Sequence, residues 1–124
     1  MVKLLLVDDE ANCRTVTRAI LLDDFPEIII DEAVDGKEAC AYIAQSLPDI
    51  VLMDIQMPRM DGVTATKQMR SMGYKGHIIL RSASATLVER LKGQDIGATA
   101  ILDKGGDGMS YALNRFLEGY LRPK

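Results

Sequence analysis

Five polar residues stand where short apolar runs end, and their types could do chemistry together. Asp8 and Asp9 follow Leu4-Leu5-Leu6-Val7, and Asp54 follows Ile50-Val51-Leu52-Met53. The run Ile78-Ile79-Leu80 ends near Ser82, and Ala100-Ile101-Leu102 ends at Asp103-Lys104. If the three acids converge, each raises the pKa of the others unless a cation neutralises them. An all-oxygen acidic site suits Mg²⁺, which prefers oxygen ligands and keeps several waters. No Asp-rich loop of EF-hand spacing favours Ca²⁺. A lysine and a hydroxyl beside a metal-bound carboxylate suit phosphate: the lysine as a point charge, the hydroxyl as a donor. Asp54 would then be a nucleophile that forms an acyl phosphate.

Each residue also has a plainer reading. Asp8, Asp9 and Glu10 could cap the next helix and favour its dipole. Asp54 could be a turn residue, Ser82 a helix cap, and Lys104 a solvated lysine. His77 lacks a second histidine or cysteine at ligand spacing and reads as a loop residue. Gly105-Gly106-Asp107-Gly108 reads as a turn and helix cap, because it lacks the phosphate-loop pattern.

The elements that must position these groups follow from periodicity. The four runs above, with Ile28-Ile29-Ile30 and Ala33-Val34 around Asp31-Glu32, make five short strands. Apolar residues on both faces indicate a parallel sheet covered on both sides. The most polar of the five suits an edge. Between them lie helical stripes: Cys13, Val16, Ala19, Ile20; then Ala39, Cys40, Ile43, Ala44, Leu47; then Val63, Thr66, Met69, Met72. Segment 85–95 carries only Leu87, Val88 and Leu91, whereas Met109, Ala112, Leu113, Phe116, Leu117 and Tyr120 give the clearest stripe. Strands alternating with helices predict an α/β, doubly wound five-stranded parallel sheet flanked by five helices. The common order for such a chain is 2-1-3-4-5, with a crevice between strands 1 and 3.

Length and composition bound the function. The 124 residues make one domain, 1–124, with no room for a second. Apolar residues are 48% of the chain, enough for a core without a disulfide or structural metal. Acids outnumber bases 18 to 15, which argues against direct nucleic-acid contact and against a polybasic membrane contact. No leader or membrane-length apolar stretch occurs, and Cys13 and Cys40 read as reduced core thiols, so a cytoplasmic location is expected.

The segments "LLLVDDE" (4–10), "DIVLMDIQMPRMDG" (49–62), "RSAS" (81–84) and "GATAILDK" (97–104) make the chain resemble a receiver domain of two-component phosphorelay response regulators over essentially its whole length. The resemblance implies a flavodoxin-like fold and a phosphorylation-activated switch. Asp54 matches the phosphoacceptor, which takes a phosphoryl group from a partner histidine kinase or histidine phosphotransfer protein. Asp9 matches a direct Mg²⁺ ligand, Asp8 one acting through water, and the Gln56 backbone carbonyl a further ligand position beside Asp54. Ser82 matches the switch hydroxyl, Ala83 the small residue beside it, and Lys104 the lysine that pairs with the phosphoryl group. Such a domain phosphorylates itself from a donor and dephosphorylates itself, and is not a turnover enzyme. Two positions depart from the family pattern: Ile101 replaces an aromatic whose rotamer reports the switch, and Gly105 replaces a proline. They motivate an alternative, a phosphorylation-independent interaction module on the same fold. A phosphoester hydrolase is disfavoured because Gln56 stands where a second acid is needed. No output domain is expected within the chain, so the output lies in a downstream protein or in a fused domain beyond Arg122-Pro123-Lys124. Segment 85–95 and the last helix, with Arg90 and Arg115, are the expected contact face for a partner or for a phosphorylation-dependent dimer.

Overall fold

The structure is a computed structural model that describes residues 2–104 and 108–121, with side chains in the last helix described for 113–119. Five strands alternate with five helices. They are β1 (Lys3–Val7), α1 (Ala11–Asp24), β2 (Ile29–Ala33), α2 (Gly36–Gln45), β3 (Ile50–Asp54), α3 (Gly62–Ser71), β4 (His77–Ser82), α4 (Ala85–Lys92), β5 (Ala100–Asp103) and α5 (Gly108–Leu121). All pairings are parallel, in the order β2-β1-β3-β4-β5. The expected doubly wound sheet and its strand order are both observed.

Strand alternation divides the core in two. Leu5, Val7, Val51, Met53, Ile78 and Leu80 pack with Ala39, Cys40, Ile43, Ala65, Met69 and Leu91 from α2, α3 and α4. Leu4, Leu6, Ile30, Ile50, Leu52 and Ile79 pack with Leu21, Leu113 and Leu117 from α1 and α5. Both faces are therefore buried, which is why the strands are apolar throughout. Polar β2 is one of the two edge strands, and Ile29 on it is 40% exposed.

Asp35, Asp61 and Ser84 cap α2, α3 and α4 by accepting the amides of Glu38, Thr64 and Leu87. α4 stops at Lys92, short of the expected 95, with Gly93 at its end. His77 is the first residue of β4 rather than a loop residue, and its ring meets Phe116 edge-on at 5.5 Å.

The α1 stripe differs from expectation. Val16, Ala19 and Ile20 are exposed, Cys13 is only half-buried, and Thr17 and Leu21 are buried instead. Arg14 and Arg18 flank that inward face. Their guanidinium groups donate to Glu32 and to the carbonyls of Asp8 and Ile30, so charged residues stand where periodicity places apolar ones. Cys13 is thus not a core thiol, whereas Cys40 is. Leu47 lies past the end of α2 and is exposed, as is Met72 after α3. Gly105-Gly106-Asp107, Arg122-Pro123-Lys124 and the side chains of Met109, Ala112 and Tyr120 lie outside the described residues.

Candidate functional site

The carboxyl ends of β1, β3, β4 and β5 meet at one rim. Residues 4, 6 and 8 of the first strand, 50, 52 and 54 of the third, and 79 and 81 of the fourth share one phase of the pleat. Leu6, Leu52 and Ile79 bury that phase in the α1/α5 half of the core. Asp8, Asp54 and Arg81 continue it at the strand ends, so they emerge side by side. Asp54 and Arg81 are direct register partners.

Asp8, Asp9 and Asp54 each place a carboxylate oxygen within 4.8 Å of the others. Asp8 and Asp54 are buried and Asp9 is exposed. An oxygen-only donor set, closed within and open to water outside, fits a hard cation that retains waters. Gln56 follows in the loop after β3, with its side chain exposed.

Asp8 is held firmly. Its amide donates to the Ala33 carbonyl at 3.1 Å, its carbonyl accepts from Arg14 at 2.7 Å, and its Oδ1 accepts from the Glu10 amide at 2.9 Å. The plainer reading as helix caps fails for these acids: Glu10 is the N-cap position without a side-chain cap bond, and the first turn of α1 has no acid.

Lys104 Nζ lies 2.7 Å from Asp54 Oδ2 and 3.6 Å from Asp8 Oδ2. It is therefore drawn into the site and is not a solvated lysine. Its amide donates to the Ser82 carbonyl at 2.8 Å, tying the ends of β4 and β5 together. Ser82 is buried, and its Oγ accepts from the Ser84 amide at 3.0 Å. Ser84, not Ser82, caps α4, which leaves the Ser82 hydroxyl proton for another partner. Ala83 is exposed at the rim. Ile101 is half-buried, paired in register with Leu80 and packed on the α2–α4 side of the core.

The site contains one group that the sequence reading passed over. Arg81 is 1% exposed, and its Nε lies 3.0 Å from Asp54 Oδ1 while Nη2 lies 3.3 Å from Asp8 Oδ2. The available signal was a cation directly after the apolar run Ile78-Ile79-Leu80, where a buried charge needs a partner. The Asp54 carboxyl is pushed above its ordinary range, chiefly by burial and further by Asp8; the Lys104 hydrogen bond and the charges of Arg81 and Lys104 oppose this.

With the geometry in place, the family model described as the response regulator receiver domain matches residues 4–109. The chain belongs to the response-regulator receiver family. Response regulator MprA of Mycolicibacterium vanbaalenii is 38% identical over 103 residues, covering 83% of this receiver domain and 44% of its own length. A protein-glutamate methylesterase/protein-glutamine glutaminase of Nocardioides sp. is 40% identical over 110 residues, covering 88% of this chain and 27% of its own. The receiver domain thus spans less than half the length of these curated relatives. Among solved structures, response regulator TrrA of Thermotoga maritima, in complex with Mg²⁺–BeF, superposes with a TM-score of 0.78 at 27% identity, covering 94% of this chain and all of its own. A Francisella response-regulator receiver domain gives 0.77 at 26% identity over the whole of both chains. No helix among the described residues is long and apolar enough to cross a membrane.

Proposed function

We propose that this receiver domain takes a phosphoryl group onto Asp54 from a partner histidine kinase or histidine phosphotransfer protein. The observation that carries the reading is a buried Asp54 carboxylate flanked by Asp8, Asp9 and Lys104 at the carboxyl-end rim of the sheet. In the transfer, the P–N bond of the donor's phosphohistidine breaks as a P–O bond forms to an Asp54 carboxylate oxygen. The electron pair of the broken bond returns to the donor's imidazole nitrogen. Mg²⁺, held by Asp8, Asp9, Asp54 and the Gln56 carbonyl, would supply positive charge to the phosphoryl oxygens. Asp54 is presented in line with its strand, Lys104 neutralises the incoming oxygens, and Asp8 is fixed by its three backbone-linked bonds. Catalysis of this kind is mainly positioning and charge stabilisation.

The new charge then attracts Ser82 and Lys104, which stand at the ends of β4 and β5, ahead of α4 and α5. Moving a two-state switch from 1:99 to 99:1 needs about 5.5 kcal/mol. One charge-assisted hydrogen bond supplies about 1.5–3 kcal/mol, so both residues and the packing behind them must contribute. The output surface is the α4-β5-α5 face, with half-buried Ile101 transmitting by packing where an aromatic rotamer is lacking. The output is a downstream protein or a fused domain, consistent with relatives longer than this chain. Self-dephosphorylation by water would reset the switch, without turnover of free substrates.

Incubation with a small phosphodonor and Mg²⁺ should add one phosphate by intact mass, and Asp54→Asn should abolish it. An unmodified wild-type mass would overturn the assignment.

A further inference from the structure

Arg81 is the part of this site that phosphoryl transfer leaves unused. It is among the largest fully buried side chains of the protein, and a buried charge persists only when paired. Its guanidinium takes Asp54 Oδ1 and Asp8 Oδ2, while Lys104 takes Asp54 Oδ2 and also approaches Asp8 Oδ2. Asp8 Oδ1 is engaged by the Glu10 amide. Both oxygens of Asp54 and both of Asp8 are therefore occupied by protein donors. Of the three acids, only exposed Asp9 makes no ion pair among the described residues.

We propose that Arg81 is an internal counter-ion that keeps the divalent-cation affinity of the unphosphorylated site low, so that Mg²⁺ and the phosphoryl group are taken up together. The proposal rests on reading Asp8, Asp9 and Asp54 as the cation-binding acids and Asp54 as the phosphoacceptor.

Charge balance carries it. Three carboxylates against Arg81 and Lys104 leave one net negative charge at the site. A divalent cation alone overshoots to one positive charge. Phosphorylation replaces a singly charged carboxylate with a group carrying close to two negative charges near neutral pH, so the site is neutral when cation and phosphoryl group are both present. Without Arg81 the balance moves. Three carboxylates against Lys104 alone would be neutralised by the cation before any phosphoryl group arrived. Arg81 thus sets which state of the switch is electrically satisfied. Its burial strengthens the effect, because charges in a low-dielectric interior are poorly screened.

Arg81→Met keeps much of the volume and removes the charge, whereas Arg81→Lys keeps the charge. Calorimetric titration with Mg²⁺ alone, at fixed ionic strength, should show Arg81→Met binding at least about tenfold more tightly than wild type, with Arg81→Lys close to wild type. Adding beryllofluoride as phosphoryl mimic should then tighten Mg²⁺ binding more in wild type than in Arg81→Met. Equal or weaker Mg²⁺ binding by folded Arg81→Met overturns the counter-ion role while leaving Asp54 phosphorylation standing. Failure of wild type and both variants to bind Mg²⁺ at all overturns the cation reading on which the proposal rests. If Arg81→Met does not fold, the Arg81 Nε–H resonance of the wild-type protein decides. It should shift on saturation with Mg²⁺, and an unchanged resonance overturns the proposal.

Discussion

Gly62 is the first residue of α3, and its backbone lies against the end of β3. A Cβ at this position would fall 2.3 Å from the Asp54 carbonyl oxygen, 3.0 Å from the Ile55 Cα and 3.1 Å from the Asp54 carbonyl carbon. All three are backbone atoms, so no side chain can swing aside. Ordinary contact begins near 3.4 Å, which means Gly62→Ala must drive α3 and the end of β3 about 1 Å apart. The Gly62 amide also donates to the Ile55 carbonyl at 2.7 Å, and separation stretches that bond. Overpacking costs about 1–3 kcal/mol. Replacing glycine within a helix returns roughly 0.5–1 kcal/mol. With three backbone contacts too close, the net is a loss of about 1–2 kcal/mol, or a fall in Tm of roughly 3–10 °C. Gly119→Ala in α5 is the control, since no described atom lies within 4 Å of its Cβ; it should hold or raise the Tm. Thermal melts of the three proteins, with phosphorylation of Asp54 followed by intact mass, make the test. A Gly62→Ala protein that melts with wild type and is phosphorylated at the same rate would refute the claim that this glycine sets the position of Asp54.

Two further outcomes follow from the caps. The Glu38 amide bond, foremost, and Arg59 hold the Asp35 carboxyl below its ordinary value against the opposing effect of burial. A lowered folded-state pKa gives stability that is present above the unfolded value and lost as pH falls through the folded one. Asp35→Asn keeps a capping oxygen without the charge, so its deficit against wild type should be greatest above about pH 5 and shrink toward acid; a deficit constant from neutral to acid pH contradicts the assignment. Ser84→Ala removes the cap of the eight-residue α4 and should cost roughly 0.5–2 kcal/mol. Amide exchange should accelerate across 85–92, and unchanged exchange there would show that α4 is held by its packing alone.

Much of this molecule is legible along the chain because a parallel sheet buried on both faces leaves a simple trace. Each strand is a short apolar run, and each polar residue ending it becomes a candidate for the rim. That is how Asp8, Asp54, Ser82 and Lys104 stand out before any coordinates. The buried face of α1 departs from its apolar stripe for a physical reason. Arg14 and Arg18 serve the inward flank because Glu32 and two carbonyls lie within reach of their guanidinium groups. Hydropathy assigns arginine to solvent and cannot see such partners. Cys13 and Leu47 followed the same periodicity outward, one onto a half-exposed flank and one past the helix end.

The sequence by itself determined the alternation of elements, the identity of the acids and the lysine, and the family pattern they make. Tertiary structure decided which charges meet. Parallel β3–β4 register sets Arg81 beside Asp54, and pleat phase turns both toward Asp8. Asp8 and Arg81 are 73 residues apart in the chain, and no local pattern encodes a contact at that separation. It exists because β1 and β4 flank β3 in one sheet, with neighbouring strands about 5 Å apart, so the site's charge balance is set by residues across strands rather than along them.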